Sequence, residues 1–129
     1  MSFDKQVADF VVKAKGLQEK QVRYLCLELL TNVVKGTPVD TGRARGNWQA
    51  SINRPRTNQL NTTDKNGGAT ISLGNEAVNN AAGNVFYLTN NLPYIERLEF
   101  DGWSDQQPHG WVRTAIERTK QIAARMPRR

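Results

Sequence analysis

Few side chains in this sequence belong to the types that carry out reactions. His109 is the single histidine. It sits in the turn-rich run Ser104-Asp105-Gln106-Gln107-Pro108-His109-Gly110 with no second histidine or cysteine partner, so a zinc site or a nucleophile-histidine pair has too few members. Glu96, Glu99, Asp101 and Asp105 fall close together, and carboxylates so clustered can hold a cation or divide acid-base work. Their spacing matches no calcium loop, however, and pairing with Arg43, Arg45 or Arg97 is the simpler expectation. Gly42 and Gly46 are separated by Arg-Ala-Arg and lack the lysine of a phosphate-cradling loop. The residues thus lead us to expect no catalytic group, no metal, no cofactor and no enzyme.

Charge offers more. The chain of 129 residues carries 18 basic and 12 acidic side chains, a net charge of +6, unevenly placed. Arg43, Arg45, Arg54 and Arg56 occur in a stretch without an acid. Arg113, Arg118, Lys120, Arg125, Arg128 and Arg129 crowd the C-terminal stretch against Glu117 alone. Such clusters suit phosphate or an acidic protein surface, and equally a solvated face, and charge cannot choose among them. Cys26 is the lone cysteine, which excludes an intrachain disulfide framework, and its place on an apolar stripe predicts a buried thiol. No apolar run approaches the roughly 20 residues that cross a bilayer, and Asp4 and Asp9 are out of place in a secretory signal. The expectation is a soluble protein made in a cytoplasm, with no membrane partner.

The elements that must position these residues can be read from periodicity. Phe3, Val7, Phe10, Val11 and Ala14 recur at helical spacing, with Gly16 as a break. Val22, Leu25, Cys26, Leu29, Leu30 and Val33 form a wide stripe on a second helix, which Gly36 and Pro38 end. Asp40 or Thr41 can cap a short helix bearing Arg43 and Arg45. Arginines there oppose the helix dipole, which points to a partner or a carboxylate elsewhere in the fold. Trp48, Ala50 and Ile52 then alternate with polar residues, as do Ala69, Ile71 and Leu73, which predicts an antiparallel hairpin with a long polar loop, 54–68, between its strands. Arg54, Arg56 and Lys65 give that loop a modest positive charge. The segment 75–84 reads as loop with a helical turn, Val85 to Leu88 as a dense strand, and Tyr94 to Glu99 as a short helix opened by Pro93. From Trp111, residues Val112, Ala115, Ile116, Thr119, Ile122, Ala123 and Met126 share one helical face. One α+β domain spanning residues 1–129 follows: an antiparallel sheet packed against two main helices.

Three blocks also resemble a known family. Thr37-Pro-Val-Asp-Thr-Gly-Arg-Ala-Arg-Gly-Asn-Trp48 is similar to the TPVDTGRLR signature of tailed-bacteriophage head-tail joining and tail-completion proteins. Asn91-Leu-Pro-Tyr-Ile-Glu-Arg-Leu-Glu-Phe-Asp-Gly-Trp-Ser104 resembles that family's PYAxxLExGxS block, and Gln107-Pro-His-Gly-Trp-Val-Arg113 its QAPxGMVR block. The order matches. Ala44 replaces the usual leucine, and Asp101 is inserted before Gly102.

The resemblance implies a structural virion protein at the head-tail junction, a tail terminator or a neck adaptor. Such a protein forms a homo-oligomeric ring against connector and tail-tube proteins, with double-stranded DNA passing non-specifically through it. Six copies are what related tail terminators imply, and twelve stay open. Subunit-interface candidates are Asp40, Arg43, Arg45 and Trp48 with Glu96, Glu99 and Asp101. Arg54, Arg56 and Lys65 are candidates for the channel or an adjacent ring, and Arg113, Arg118, Arg125, Arg128 and Arg129 form a basic tail. The competing expectation is a free-standing DNA-binding protein using the basic C-terminal helix. Against it, no recognition-helix motif is present and no aromatics interleave with the basic residues.

Overall fold

The computed structural model describes residues 16–128, so the helix expected over Phe3 to Ala14, and Arg129, lie outside the described residues. The first element, α1 (Glu19–Gly36), buries Val22, Leu25, Cys26, Leu29, Leu30, Val33 and Val34. That is the stripe read from the sequence with Val34 added. At its start the side chain of Gln21, at the third helical position, accepts from the amide of Gln18 at the N-cap at 2.8 Å, as in a capping box. Each aliphatic side chain buried here contributes on the order of 1.5–3 kcal/mol. Cys26 is fully buried, and that burial pushes its thiol up to about 12, leaving it protonated at neutral pH.

The C-terminal helix α5 (Val112–Arg125) lies antiparallel beside α1. Trp111 at its start reaches the carbonyl of Val33 near the end of α1, while Pro127 beyond its end accepts from Gln21 near the start of α1. Val112, Ala115 and Thr119 are buried on this contact, and Ile116, Ile122, Ala123 and Met126 are half-buried. The expected amphipathic face is therefore the one that packs.

Between these helices come α2 (Arg43–Gly46), β1 (Gln49–Ile52), α3 (Gly68–Asn79), β2 (Phe86–Thr89) and α4 (Ile95–Phe100). The sheet has two strands, β1 and β2, antiparallel, with Gln49 opposite Thr89 and Ile52 opposite Phe86. The architecture is α+β, as the sequence led us to expect, but the strand partner differs. Ala69 to Leu73 is not the second strand of a hairpin; it lies within α3. The polar segment 54–67 accordingly links a strand to a helix.

The reason is local. Thr70, Gly74, Ala77 and Val78 are the buried residues of α3, a helical spacing, whereas Ala69 is exposed and Leu73 is 79% exposed. Gly74 lets α3 approach α1, because a Cβ there would stand 2.5 Å from Leu30 Cδ2 and 3.5 Å from the Cβ of Ala50. The helix thus packs against α1 and β1 at once through small residues, and small residues leave little periodic signal.

Two substitutions separate the helical from the extended reading. Leu30→Ala should cost about 2–5 kcal/mol in urea denaturation of dilute protein, as buried leucine truncations do. Leu73→Gln should change stability by no more than about 0.5 kcal/mol, as exposed substitutions do. A large loss at Leu73 would mean that its side chain is buried after all.

Candidate functional site

The last four carbonyls of an α-helix have no partner within it. At the end of α1 each of them meets a group supplied by the first or the third sequence block. The Val33 carbonyl accepts from Thr37 Oγ1 at 2.7 Å and from Trp111 Nε1 at 3.0 Å, and the Val34 carbonyl accepts from the Thr37 amide at 3.2 Å. Arg45 Nη2 donates to the Lys35 carbonyl at 2.9 Å and to that of Thr37 at 2.8 Å, and Gln107 Nε2 donates to the Gly36 carbonyl at 2.9 Å. Trp48, 3% exposed, donates its indole N–H to Thr37 Oγ1 at 2.7 Å. A guanidinium against the negative end of a helix dipole is stabilised there. The partner expected for Arg45 is thus the end of α1; α2 itself is a single turn, of which Arg45 is the third residue.

Glu99 does the converse for α5. Its side chain, 1% exposed, accepts from the amides of Trp111 at 2.6 Å, Val112 at 2.9 Å and Arg113 at 3.0 Å, and from Arg113 Nε at 2.8 Å. A carboxylate at a helix N-terminus satisfies orphan donors and complements the dipole together. Space for it depends on Gly110, at φ +82°, where a Cβ would lie 2.5 Å from both the carbonyl oxygen and Oε1 of Glu99. Gln106 closes the same junction with a two-point contact on Val39, accepting its amide at 2.9 Å and donating to its carbonyl at 2.8 Å.

Asp64 starts α3. Its oxygens accept from the Gly67 amide at 3.1 Å, the Thr70 amide at 2.8 Å and the Thr70 hydroxyl at 2.7 Å. Burial acts to raise this carboxyl, but the bonds from Thr70 and Gly67 and the nearby positive charge of Arg45 outweigh it and hold it below its ordinary value. The polar segment preceding it is laced down by side-chain amides. Asn47 both donates to and accepts from the backbone of Leu60, at 3.0 and 2.7 Å. Gln49 holds the Asn58 carbonyl at 2.8 Å, and Asn91 the carbonyls of Arg56 and Asn58 at 2.9 and 3.1 Å. Arg45 Nη1 holds that of Lys65 at 2.6 Å. This segment is a strap fixed over one side of the sheet.

The expected interface set therefore divides. Arg45, Trp48 and Glu99 are turned to internal partners, and the expected pairing of Arg45 with Glu99 inside the chain is not made, because each is committed to a helix end. Asp40 and Asp101 are exposed, and Arg43 and Glu96 are half-buried. Arg54, Arg56 and Lys65 are exposed on the strap, and Arg113, Arg118, Arg125 and Arg128 on or just beyond α5. Arg113 also stacks on Phe100 at 4.3 Å, and Arg118 stands 3.8 Å from Glu28. His109 is exposed in its turn, and Glu99 no longer belongs to an outward acidic cluster. Among the described residues no three His, Cys, Asp or Glu side chains form a group able to hold a metal ion.

Thr37, Asn47, Asp64, Gln106, Gln107 and Trp111 were not anticipated as site residues. Asp64 had a usable signal, an acid three residues before Gly67 and six before Thr70. The others serve backbone groups distant in sequence, which no local pattern announces.

Two surface concavities flank the junction. One, of about 440 Å³, lies between the Pro38–Ala44 loop and the segment from Tyr94 to Gln106, and the other, of about 720 Å³, between the strap, β1 and α3. Comparison with protein-family models, with curated proteins and with solved structures finds no match for this chain.

Glu99→Ala should cost about 2–4 kcal/mol in denaturant, since it strands the buried amides of Trp111 and Val112. Gly110→Ala should cost more than the roughly 1–2 kcal/mol of left-handed backbone alone, because the added carbon meets Glu99; wild-type stability in either variant would contradict the cap. For Asp64 the folded pKa lies below the unfolded one. Its stabilisation is thus complete above the ordinary carboxylate pKa of about 3.9 and is lost as pH falls through the lower folded value. Asp64→Asn should flatten the acid limb of a stability-pH curve below about pH 4, whereas limbs parallel to wild type would show that Asp64 contributes nothing there.

Proposed function

We propose that this chain is a structural component of a tailed-bacteriophage virion. In this reading it forms a ring at the head-tail junction through which double-stranded DNA passes, as a tail terminator or a neck adaptor, and it performs no reaction. The observation that carries the reading is convergence. Of the three blocks that resemble the joining family, the first lies far in sequence from the other two, yet all meet at one junction: Arg45 and Thr37 from the first, Glu99 from the second, and Gln107, Trp111 and Arg113 from the third. Residues that recur in such blocks need a reason to be kept together, and here that reason is the mutual satisfaction of two helix ends. The blocks build a scaffold, and the exposed charge of the strap and of α5 is left for assembly and for phosphate.

The exposed basic side chains Arg113, Arg118, Lys120, Arg125 and Arg128 on and beyond α5 support sequence-independent contact with passing DNA, which is electrostatic and falls steeply with salt. They give no support to base reading, since no aromatic residue is interleaved with these basic side chains. Removing the gene from a phage that encodes this chain should yield DNA-filled heads and separate tails by electron microscopy, with infectivity restored by supplying the protein. Fully infectious particles without it would end the reading. Tight binding of a short duplex at physiological salt by a monomer would favour the free-standing DNA-binding class instead.

A further inference from the structure

The two concavities share no lining residue, and their characters are mirrored. On the α3 side, Leu73, 79% exposed, lines a groove together with Arg54, Arg56 and Glu76, an apolar knob in the company of two guanidiniums and one carboxylate. On the junction side, the depression is walled by Tyr94, Leu98 and Trp103 and edged by Asp40, Asp105 and Arg43, an apolar hollow between two carboxylates and one guanidinium. Arg97 stacks over the Trp103 ring at 4.8 Å, yet the tryptophan remains 57% exposed. A leucine and a tryptophan left this open gain little from folding, and both gain from being covered.

We infer that the occupant of the depression is a second copy of this chain, whose Leu73 seats against Tyr94, Leu98 and Trp103 while its Arg54 and Arg56 meet Asp40 and Asp105. Charge complementarity selects this occupant: the patch that fits the hollow in sign and in apolar content is on the same molecule, on a different surface. A contact between two different patches is heterologous, so each copy keeps one free knob and one free hollow, and copies add head to tail until the rotation closes a ring. The contact deepens the ring reading and rests on it. It replaces the pairing of Arg45 with Glu99, whose charges are engaged inside each subunit. It also gives the strap a use, since the lacing by Asn47, Gln49 and Asn91 holds Arg54 and Arg56 in place before any partner arrives.

The test uses the full chain in sedimentation velocity over a concentration series. Knob variant Leu73→Glu and hollow variant Asp40→Lys with Asp105→Lys change exposed positions only, and unchanged thermal melts verify that each folds. Each variant alone should associate on the order of tenfold to a hundredfold more weakly than wild type. Mixed in equal amounts they should form a 1:1 dimer that grows no further, because only one intact knob and one intact hollow remain to meet. Arg54→Glu with Arg56→Glu, combined in one chain with the hollow variant, should restore assembly. If wild type assembles and both variants assemble as well as it does, the contact is wrong while the ring reading stands. Failure of the mixed variants to pair would likewise overturn the contact. Wild type that stays monomeric at every concentration would remove the ring reading and the contact together.

Discussion

The last carbonyls of a helix have no partner within it, and whatever satisfies them fixes the surrounding chain. In α1 that requirement falls on Val33, Val34, Lys35 and Gly36, and it is met by Thr37, Arg45, Gln107 and Trp111. Each neutral bond of this kind contributes only about 0.5–1.5 kcal/mol, and those from a charged donor about 1.5–3. Their larger effect is geometric. Arg45 cannot reach Lys35 and Thr37 unless α2 folds back beside the end of α1, and Trp111 cannot reach Val33 unless α5 begins there. Gly36 leaves room for that arrival, since a Cβ on it would stand 2.8 Å from the indole.

The same physics recurs with reversed sign at the two helix starts. Glu99 takes the first amides of α5 and Asp64 those of α3, so that carboxylates and guanidiniums distribute over helix ends according to the dipole. With two strands in the sheet among the described residues, the backbone ladder can organise little of this part of the chain. Side-chain amides do much of the rest, and Asn47 with Leu60 forms a two-point contact equivalent to one rung of a ladder. Arg45, Trp48 and Glu99, which look like recognition groups in the sequence, are internal fittings here, whereas Asp40, Arg54, Arg56, Lys65 and the arginines of α5 remain exposed.

How much of this was legible followed the range of each interaction. The stripes of α1 and α5, the short helix α4 with Ile95 inward, and the strand around Phe86 and Leu88 rest on spacing within a few residues, and they stand as read. The buried Cys26 follows from its place in such a stripe. The strand expected over Ala69, Ile71 and Leu73 failed because its alternation covers too few residues to outweigh the cap at Asp64 and the close approach allowed by Gly74. The junction was visible only as an anomaly, arginines at the wrong end of a short helix. That anomaly correctly required a distant partner, and the partner was a row of carbonyls in place of the carboxylates expected. Backbone groups carry no letter in a sequence, so a side chain that serves them cannot be matched to its target in advance.

The proposed role at a virion joint asks a domain to hold its shape as DNA passes, and helix ends satisfied by distant side chains suit that demand. The dependence of the fold on the junction is tested most directly by native-state amide hydrogen exchange at Trp111, Val112 and Arg113. First-turn helix amides ordinarily lack partners and exchange quickly. Here Glu99 should protect them to the level of global unfolding, and Glu99→Ala should release them while leaving the amides of Leu25 and Leu29 protected. Rapid exchange at all three positions in the wild-type protein would show that the carboxylate does not hold α5, and the junction as described would be wrong.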